Sequence, residues 1–487
     1  MMLGALLVIL LLTLLFSFLR LLLHRSRFNH LPGPVPDSWI SGHVNTLLRV
    51  MRKEGHAYSV RMEWSTRFPD LYVVWLFTTA QVCLTDGAHI QTYFSQPQEK
   101  FLYPFLSYCM GYRMCGPHSI FNDPGTPLWA RKRRTFKRFF SQQHSACWVE
   151  QIAQHTARLV TVVRREGEVD MADYMKRLTF DIVSDMALGF HPRAVERDAP
   201  IRHSIDQMLS IGFENAFSVV KNNVPFLNLN VKRRLGAAVR ASRSYCRDLV
   251  EERRRVEEGK RVDDILSMII ECNGDDVEAM IDDVVVFLIA GYDTAANVLG
   301  FTIALLIEHP DSLQRVMEEV GGVDVQDSGC SARVPYLNAC LSESMRLFPP
   351  GPVSHRVNNK PARLGEYTVP GGCQIQACVF VQHRLPRYWH RPNSFLPERW
   401  LRDITRDVTT HVTPPRAPFP GSYLPFMIGP RDCVGKNMAV VLLRVVLCAL
   451  FKEIGLEKVG EERIKPRHCF TLIPDGRVMA RVVEKTD

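Results

Sequence analysis

The chain has 487 residues, 46% of them hydrophobic and 23% charged, which is enough apolar material for a large core and excludes a disordered or low-complexity protein. Its formal charge of +9 raises the question of nucleic acid, but no reading motif or interleaved stacking platform accompanies the cations, so no nucleic acid is expected. The 13 cysteines include no C-x-x-C pair, which argues against a structural zinc site.

The first predicted element is a membrane span. Met1 to Leu23 is apolar apart from Thr13, Ser17 and Arg20, and about 20 such residues cross a bilayer. His24-Arg25-Ser-Arg27 follows, with no small-residue cleavage site before it, so residues 1–23 read as a signal anchor. Basic residues after the span place the rest of the chain in the cytoplasm. Residues 24–40 form a basic, proline-rich linker, stiffened through Leu31-Pro-Gly-Pro-Val-Pro36. Length alone would allow about three domains. No repeat or second linker divides residues 41–487, which are taken as one catalytic body. A body facing the cytoplasm keeps its cysteines reduced.

Within that body, Leu71 to Phe77 and Gln81 to Leu84 alternate as the two arms of a hairpin. After the turn-like Asn122-Asp-Pro-Gly125, Trp129 and Arg133 stand one helical turn apart, both able to donate to carboxylates. The same helix holds the densest basic run, Arg131 to Arg138, ordinarily a solvated face but also suited to an acidic partner. Met208 to Leu235 combines Phe213, Phe217 and Val224-Pro-Phe-Leu with Lys232-Arg-Arg, which suits a membrane-interface segment, a lipid entrance or a plain packed helix pair. Val277 to Glu308 reads as a helix buried on nearly every side. At its centre lies Ala290-Gly291-Tyr-Asp293-Thr294. Gly291 would let a flat ligand lie close, and Thr294 would hydrogen-bond back into the helix and widen it locally.

Further on, Glu343 and Arg346 share one helix face before Pro349-Pro350 ends the helix, and Arg399 lies in Phe395-Leu-Pro-Glu-Arg399-Trp400. Last comes Phe426-Met-Ile-Gly429-Pro-Arg431-Asp-Cys433-Val-Gly435, followed by the apolar helical run Lys436 to Phe451. Gly429 and Gly435 permit backbone a Cβ would block. Phe426 can shield the sulfur, Arg431 can pair with a propionate, and a thiolate at a helix N-terminus is favoured. Such a thiolate on haem iron favours O–O cleavage.

The ten-residue pattern F-x-x-G-x-R-x-C-x-G resembles the haem-binding signature of the cytochrome P450 family. Ala290-Gly-Tyr-Asp-Thr294 resembles its oxygen-activation motif, and Glu343, Arg346 and Arg399 resemble its core triad. The resemblance runs from the N-terminal prolines to the end of the chain. It implies a mainly α fold with a small β portion, the cytochrome P450 fold, behind a single N-terminal transmembrane helix. It implies haem b with iron ligated by Cys433, and Thr294 as proton-relay hydroxyl with Asp293 supplying protons. Ala290 and Gly291 would lie beside the haem. Trp129, Arg133, Arg356 and Arg431 would contact propionates, with Phe426, Gly429 and Gly435 framing the ligand.

The activity implied is a monooxygenase inserting one atom of O2 into a C–H bond of a small hydrophobic substrate, a sterol or other lipid. Electrons would come from NADPH through the flavoprotein NADPH–cytochrome P450 reductase, docking at the basic run near Lys132, Arg134 and Lys137. The membrane implied is the endoplasmic reticulum. Stretches such as Leu31 to His43 and Phe287-Leu-Ile-Ala-Gly look similar to cholesterol 24-hydroxylase, although that enzyme has glutamate where Asp293 stands. A fatty-acid hydroxylase competes, although many of those carry glutamate where Ala290 stands. A thiolate-haem isomerase or dehydratase needing no reductase, and a non-catalytic haem-binding protein, are the other classes. Retention of both Asp293 and Thr294 disfavours them.

Overall fold

The computed structural model describes residues 2–97, 101–102, 114–123, 125–141, 147–216, 229–256, 263–325, 333–401 and 419–484. Its helices are α1 (Met2–Ser26), α2 (Val44–Glu54), α3 (Tyr58–Arg67), α4 (Gly87–Phe94), α5 (Pro127–Phe139), α6 (Val149–Glu166), α7 (Met171–Leu188) and α8 (Pro200–Ala216). They continue with α9 (Leu229–Arg254), α10 (Ile265–Asn273), α11 (Val277–Glu308), α12 (Pro310–Gly321), α13 (Pro335–Leu347), α14 (Val379–Gln382) and α15 (Lys436–Glu453). The strands are β1 (Leu71–Leu76), β2 (Thr79–Leu84), β3 (Phe101–Leu102), β4 (Glu168–Asp170), β5 (Ser354–Asn358) and β6 (Ala362–Leu364). β7 (Tyr367–Val369), β8 (Gln374–Ala377), β9 (Ile454–Lys458), β10 (Pro466–His468), β11 (Leu472–Pro474) and β12 (Met479–Glu484) complete them. The architecture is therefore mainly helical with a small β portion.

The expected hairpin is β1–β2, with Leu71 opposite Leu84 and Leu76 opposite Thr79. It forms one side of a five-stranded sheet in the order β1-β2-β8-β5-β3, in which only β2 and β8 run parallel. Two further hairpins, β6–β7 and β10–β11, and a small β4-β12-β9 sheet sit apart from it.

Helix α11 is the axis of the helical part. Asp276 caps its N-terminus by accepting from the Ala279 N–H, and its apolar residues are buried along almost the whole length. That length and hydropathy would also allow it to cross a membrane, but 83% of its most apolar window is buried against the protein, as in a core helix. It packs chiefly on α7, with α9, α10, α13 and α15 around it. Two consecutive carboxylates near its start pin the preceding loop. Asp282 accepts from the His118 N–H at 3.0 Å, and Asp283 from the Ile120 N–H at 2.7 Å.

Asp283 also meets Lys132 of α5 at 2.6 Å, both side chains fully buried. Lys132 thus does not belong to the exposed basic face predicted from the run Arg131 to Arg138. Its ammonium lies inside, donating also to the His118 carbonyl at 2.9 Å. Arg131, Arg134, Lys137 and Arg138 remain exposed.

Before the catalytic body, α1 is one continuous helix, with Leu12, Leu15, Phe16, Phe18, Leu19 and Leu23 exposed. The proline-rich stretch after it packs on the body. Phe28 and Leu31 are buried, the Val73 N–H donates to the Pro32 carbonyl, and Arg25 stacks between Trp39 and Trp75. The middle of the segment Met208 to Leu235 lies outside the described residues.

Candidate functional site: an open thiol in a glycine-framed loop

The loop before α15 is built around Cys433. Met427 and Gly429 both adopt left-handed backbone, at φ +56° and +80°. A Cβ on Gly429 would stand 2.0 Å from the Phe94 carbonyl oxygen, so glycine is required by the close approach of α4 as well as by φ. The Cys433 N–H donates to the Phe426 carbonyl at 2.9 Å and closes the turn. Burial pushes the Cys433 thiol up, against the opposing pull of the Gly435 N–H at its sulfur and of the Arg133 and Lys436 charges. Cys433 is nevertheless exposed. A side chain surrounded by protein yet uncovered borders an internal space.

A second uncovered stretch lies in the middle of α11. Ala290 is exposed and Gly291 and Thr294 are half-buried, within a helix otherwise buried. The Thr294 hydroxyl donates back to the Ala290 carbonyl at 2.7 Å. The helix is α throughout, so the local widening expected at Thr294 does not occur. Gly291 also has a different cause from the one expected. A Cβ there would meet Val183 of α7 at 2.8 Å, so close packing of two helices excludes a side chain. Ala290 and Thr294 are left uncovered on this helix.

Asp293 turns the other way and is 3% exposed. It accepts from the Thr471 hydroxyl at 2.6 Å, which Asn297 holds at 3.0 Å, and Lys176 lies 3.8 Å away. Burial pushes its carboxyl pKa up, opposed by Lys176 and Thr471. Nothing local in the sequence marks Thr471, Asn297 or Lys176.

The predicted cationic rim is partly assembled. Arg431 stacks on Trp129 with its guanidinium carbon 4.1 Å from the ring centroid and donates to the Ile120 and Asp123 carbonyls. Arg133 pairs with Asp432 and thereby ties α5 to the cysteine loop. Arg356, on β5, is 8% exposed and sits 5.5 Å from the Phe94 ring, on the α4 terminus that also abuts Gly429. Phe426 is half-buried against the core.

The triad is complete. Glu343 accepts from Arg346 at 2.8 and 2.9 Å, from Arg399 at 3.1 Å, and also from the Trp400 indole at 2.9 Å and the Leu396 N–H at 3.0 Å. Trp400 adjoins Arg399 in the sequence, yet its part in the triad was not anticipated.

These residues suit a haem. The loop carries an uncovered thiol, the core helix carries an uncovered stretch, and arginines and an indole capable of receiving carboxylates stand beside the loop. Gly435 supplies a sharper test. Its φ is −90° and, among the described residues, an added Cβ would meet only Phe140 at 4.0 Å, so none of them demands glycine there, whereas a planar group against the loop would.

A family model described as Cytochrome P450 matches residues 32–479. The cytochrome P450 monooxygenase FUM2 of Gibberella moniliformis is 29% identical over 357 residues, covering 70% of this chain and 74% of that protein. Cytochrome P450 72A15 of Arabidopsis thaliana is 26% identical over 351 residues, covering 68% and 66%. The crystal structure of the cytochrome P450DA heme domain superposes with a TM-score of 0.79 at 21% identity, covering 94% of this chain and 98% of that one, a likeness of fold. With the match spanning nearly the whole body, the chain belongs to the cytochrome P450 family, oxidoreductases of the monooxygenase type that carry a cysteine-thiolate-ligated haem.

Proposed function

We propose that this protein is a membrane-anchored monooxygenase that hydroxylates a hydrophobic lipid, with Cys433 as the thiolate ligand of haem b. The observations that carry the assignment are the uncovered Cys433 in its glycine-framed loop and the uncovered Ala290 and Thr294 within an otherwise buried α11. Bound there, the haem supplies oxygen activation, tuned by an electron-rich thiolate.

The chain's own residues do the rest. Trp129, Arg356 and Arg431 receive the propionates, and Arg133 holds the cysteine loop through Asp432. The Gly435 N–H steadies negative charge on the sulfur. Thr294 presents its hydroxyl at the open face of α11, while Asp293 holds a proton-exchanging carboxyl about 100° around the same helix. The apolar walls of α11 exclude water from the reacting carbon.

Exposed Arg131, Arg134, Lys137 and Arg138 on α5 suit an acidic flavoprotein, the NADPH–cytochrome P450 reductase, on the cysteine side of the fold. The exposed apolar residues of α1 suit insertion in the endoplasmic reticulum membrane with the body in the cytoplasm. A sterol is one candidate lipid, on the stretches similar to cholesterol 24-hydroxylase, and a fatty acid another.

The test is spectral and catalytic. The reduced protein under carbon monoxide should show the red-shifted band of thiolate ligation, and Cys433→Ala should lose it. Reductase-driven turnover of a lipid panel should occur with wild type and fall in Thr294→Val, whose band persists. A band that survives Cys433→Ala refutes the assignment.

A further inference from the structure

One polar row crosses the main sheet. The register of β1, β2, β8 and β5 sets Tyr72, Cys83, Gln376 and His355 side by side. Directly paired residues share a sheet face, so these side chains stand together. Arg61 of α3 lies over the row, with Nη1 donating to Gln376 Oε1 and approaching Cys83 Sγ at 3.5 Å.

Arg61 is 8% exposed, and its ionisable neighbours are thiols and phenols, with no carboxylate among the described residues. Burying a guanidinium is costly unless a partner compensates it. Three other buried arginines are compensated. Arg346 meets Glu343, Arg202 meets Asp173, Asp198 and Asp206, and Arg384 donates to two carbonyls while stacking 3.7 Å from the Phe380 ring. Arg61 bonds an amide oxygen and a thiol through Nη1, and its Nε and Nη2 meet no acceptor among the described residues.

Two imidazoles flank it. His355 and His468 lie deep in the fold yet keep open surface, so they too border an internal space. Burial, with nearby arginines adding, lowers His355 to about 4 and His468 to about 3, so both are neutral at pH 7 and present N–H donors. The Tyr58 hydroxyl is buried without a hydrogen-bond partner among the described residues, and its ring lies 5.4 Å from that of His468. His468 also walls a cavity of about 510 Å³ lined by apolar Leu48, Leu209, Phe213 and Phe470 and by charged Lys176, Asp206 and Asp293, with the exposed Arg52 and Arg467 on its wall.

We propose that Arg61, His355 and His468 form an anion-binding subsite that takes the carboxylate or sulfate end of an amphipathic lipid substrate, whose apolar body extends along the adjoining cavity. The planar fork of Arg61 matches two oxygens of either group, and the ligand supplies the counter-charge that the protein omits. This rests on the reading of the chain as a lipid monooxygenase and narrows its substrate class.

The test is calorimetric binding to the full-length, haem-loaded protein in nanodiscs, with four probes: myristate, tetradecanol, cholesterol sulfate and cholesterol. At least one anion should bind about 10- to 100-fold more tightly than its neutral counterpart. Which anion does so decides between a fatty acid and a steryl sulfate. Arg61→Met should abolish the ratio by weakening the anion alone, and Arg61→Lys should keep part of it. The unfolding midpoint of Arg61→Met should hold or rise, because an uncompensated buried charge is removed. Equal affinities in wild type, an unchanged ratio in Arg61→Met, or a lowered midpoint in that variant would overturn the subsite. Absence of the thiolate band in wild type would overturn the monooxygenase reading instead, and the two failures are read independently.

Discussion

Glu343 offers the most demanding test of how the haem-bearing core is held. Its two oxygens take five donors, and both it and Arg346 are fully buried. Arg346 also serves the carbonyls of His383, Pro392 and Ser394. Glu343→Ala leaves that guanidinium without a counter-charge, a loss of about 3–5 kcal/mol. It also strands the Trp400 indole and the Leu396 N–H, each worth about 1–3 kcal/mol when orphaned. Against a total stability of about 5–15 kcal/mol, Glu343→Ala should be close to unfolding, and Glu343→Gln should lose about 3 kcal/mol. Urea unfolding followed by circular dichroism, at constant slope, reads the difference. In a double-mutant cycle, Glu343→Leu with Arg346→Met should recover about 2–3 kcal/mol of the summed single losses, because no lone charge remains buried. Single losses that simply add to within about 0.5 kcal/mol, or a Glu343→Gln cost under about 1 kcal/mol, would refute the reasoning.

His383 makes stability depend on pH. Its Nε2 accepts from the Leu424 N–H at 2.7 Å, and burial beside Arg346 and Arg384 lowers it to about 3. The folded state keeps it neutral while the unfolded chain takes a proton below the ordinary value of 6.5, so stability falls as pH falls between these values. By pH 5 the loss from this residue is about 2 kcal/mol; equal slopes from pH 6.5 to 5 in wild type and His383→Asn would contradict it. Gly429→Ala should prevent stable haem incorporation, since its Cβ would collide with the Phe94 carbonyl, and a normal haem-to-protein ratio would disprove this. Arg134→Glu with Lys137→Glu should slow reductase-driven turnover and flatten its salt dependence. Lys132→Glu should instead destabilise the fold, by placing two carboxylates together in the interior, as a urea midpoint will show.

Several features were legible in the sequence because their physics is local or periodic. The span of α11, the β1–β2 hairpin, the helix after Gly435 and the Glu343–Arg346 pair all follow from spacing along one element. The frame of Cys433 was readable because Phe426, Gly429, Arg431 and Gly435 stand at fixed spacing within one short loop. Tertiary structure decided what depends on which element arrives alongside. Lys132 looks like any other cation of a basic run, and only the arrival of Asp283 from α11 makes it an interior residue. Gly291 looks like room for a ligand until Val183 is seen against it. Asp293 finds its partner Thr471 178 residues away, and Arg61 finds a row of polar side chains drawn from separate strands. Local spacing thus determined the chemistry at Cys433. Strand register and helix packing, which join distant segments, decided where the charges are buried and which of them is left for a ligand to neutralise.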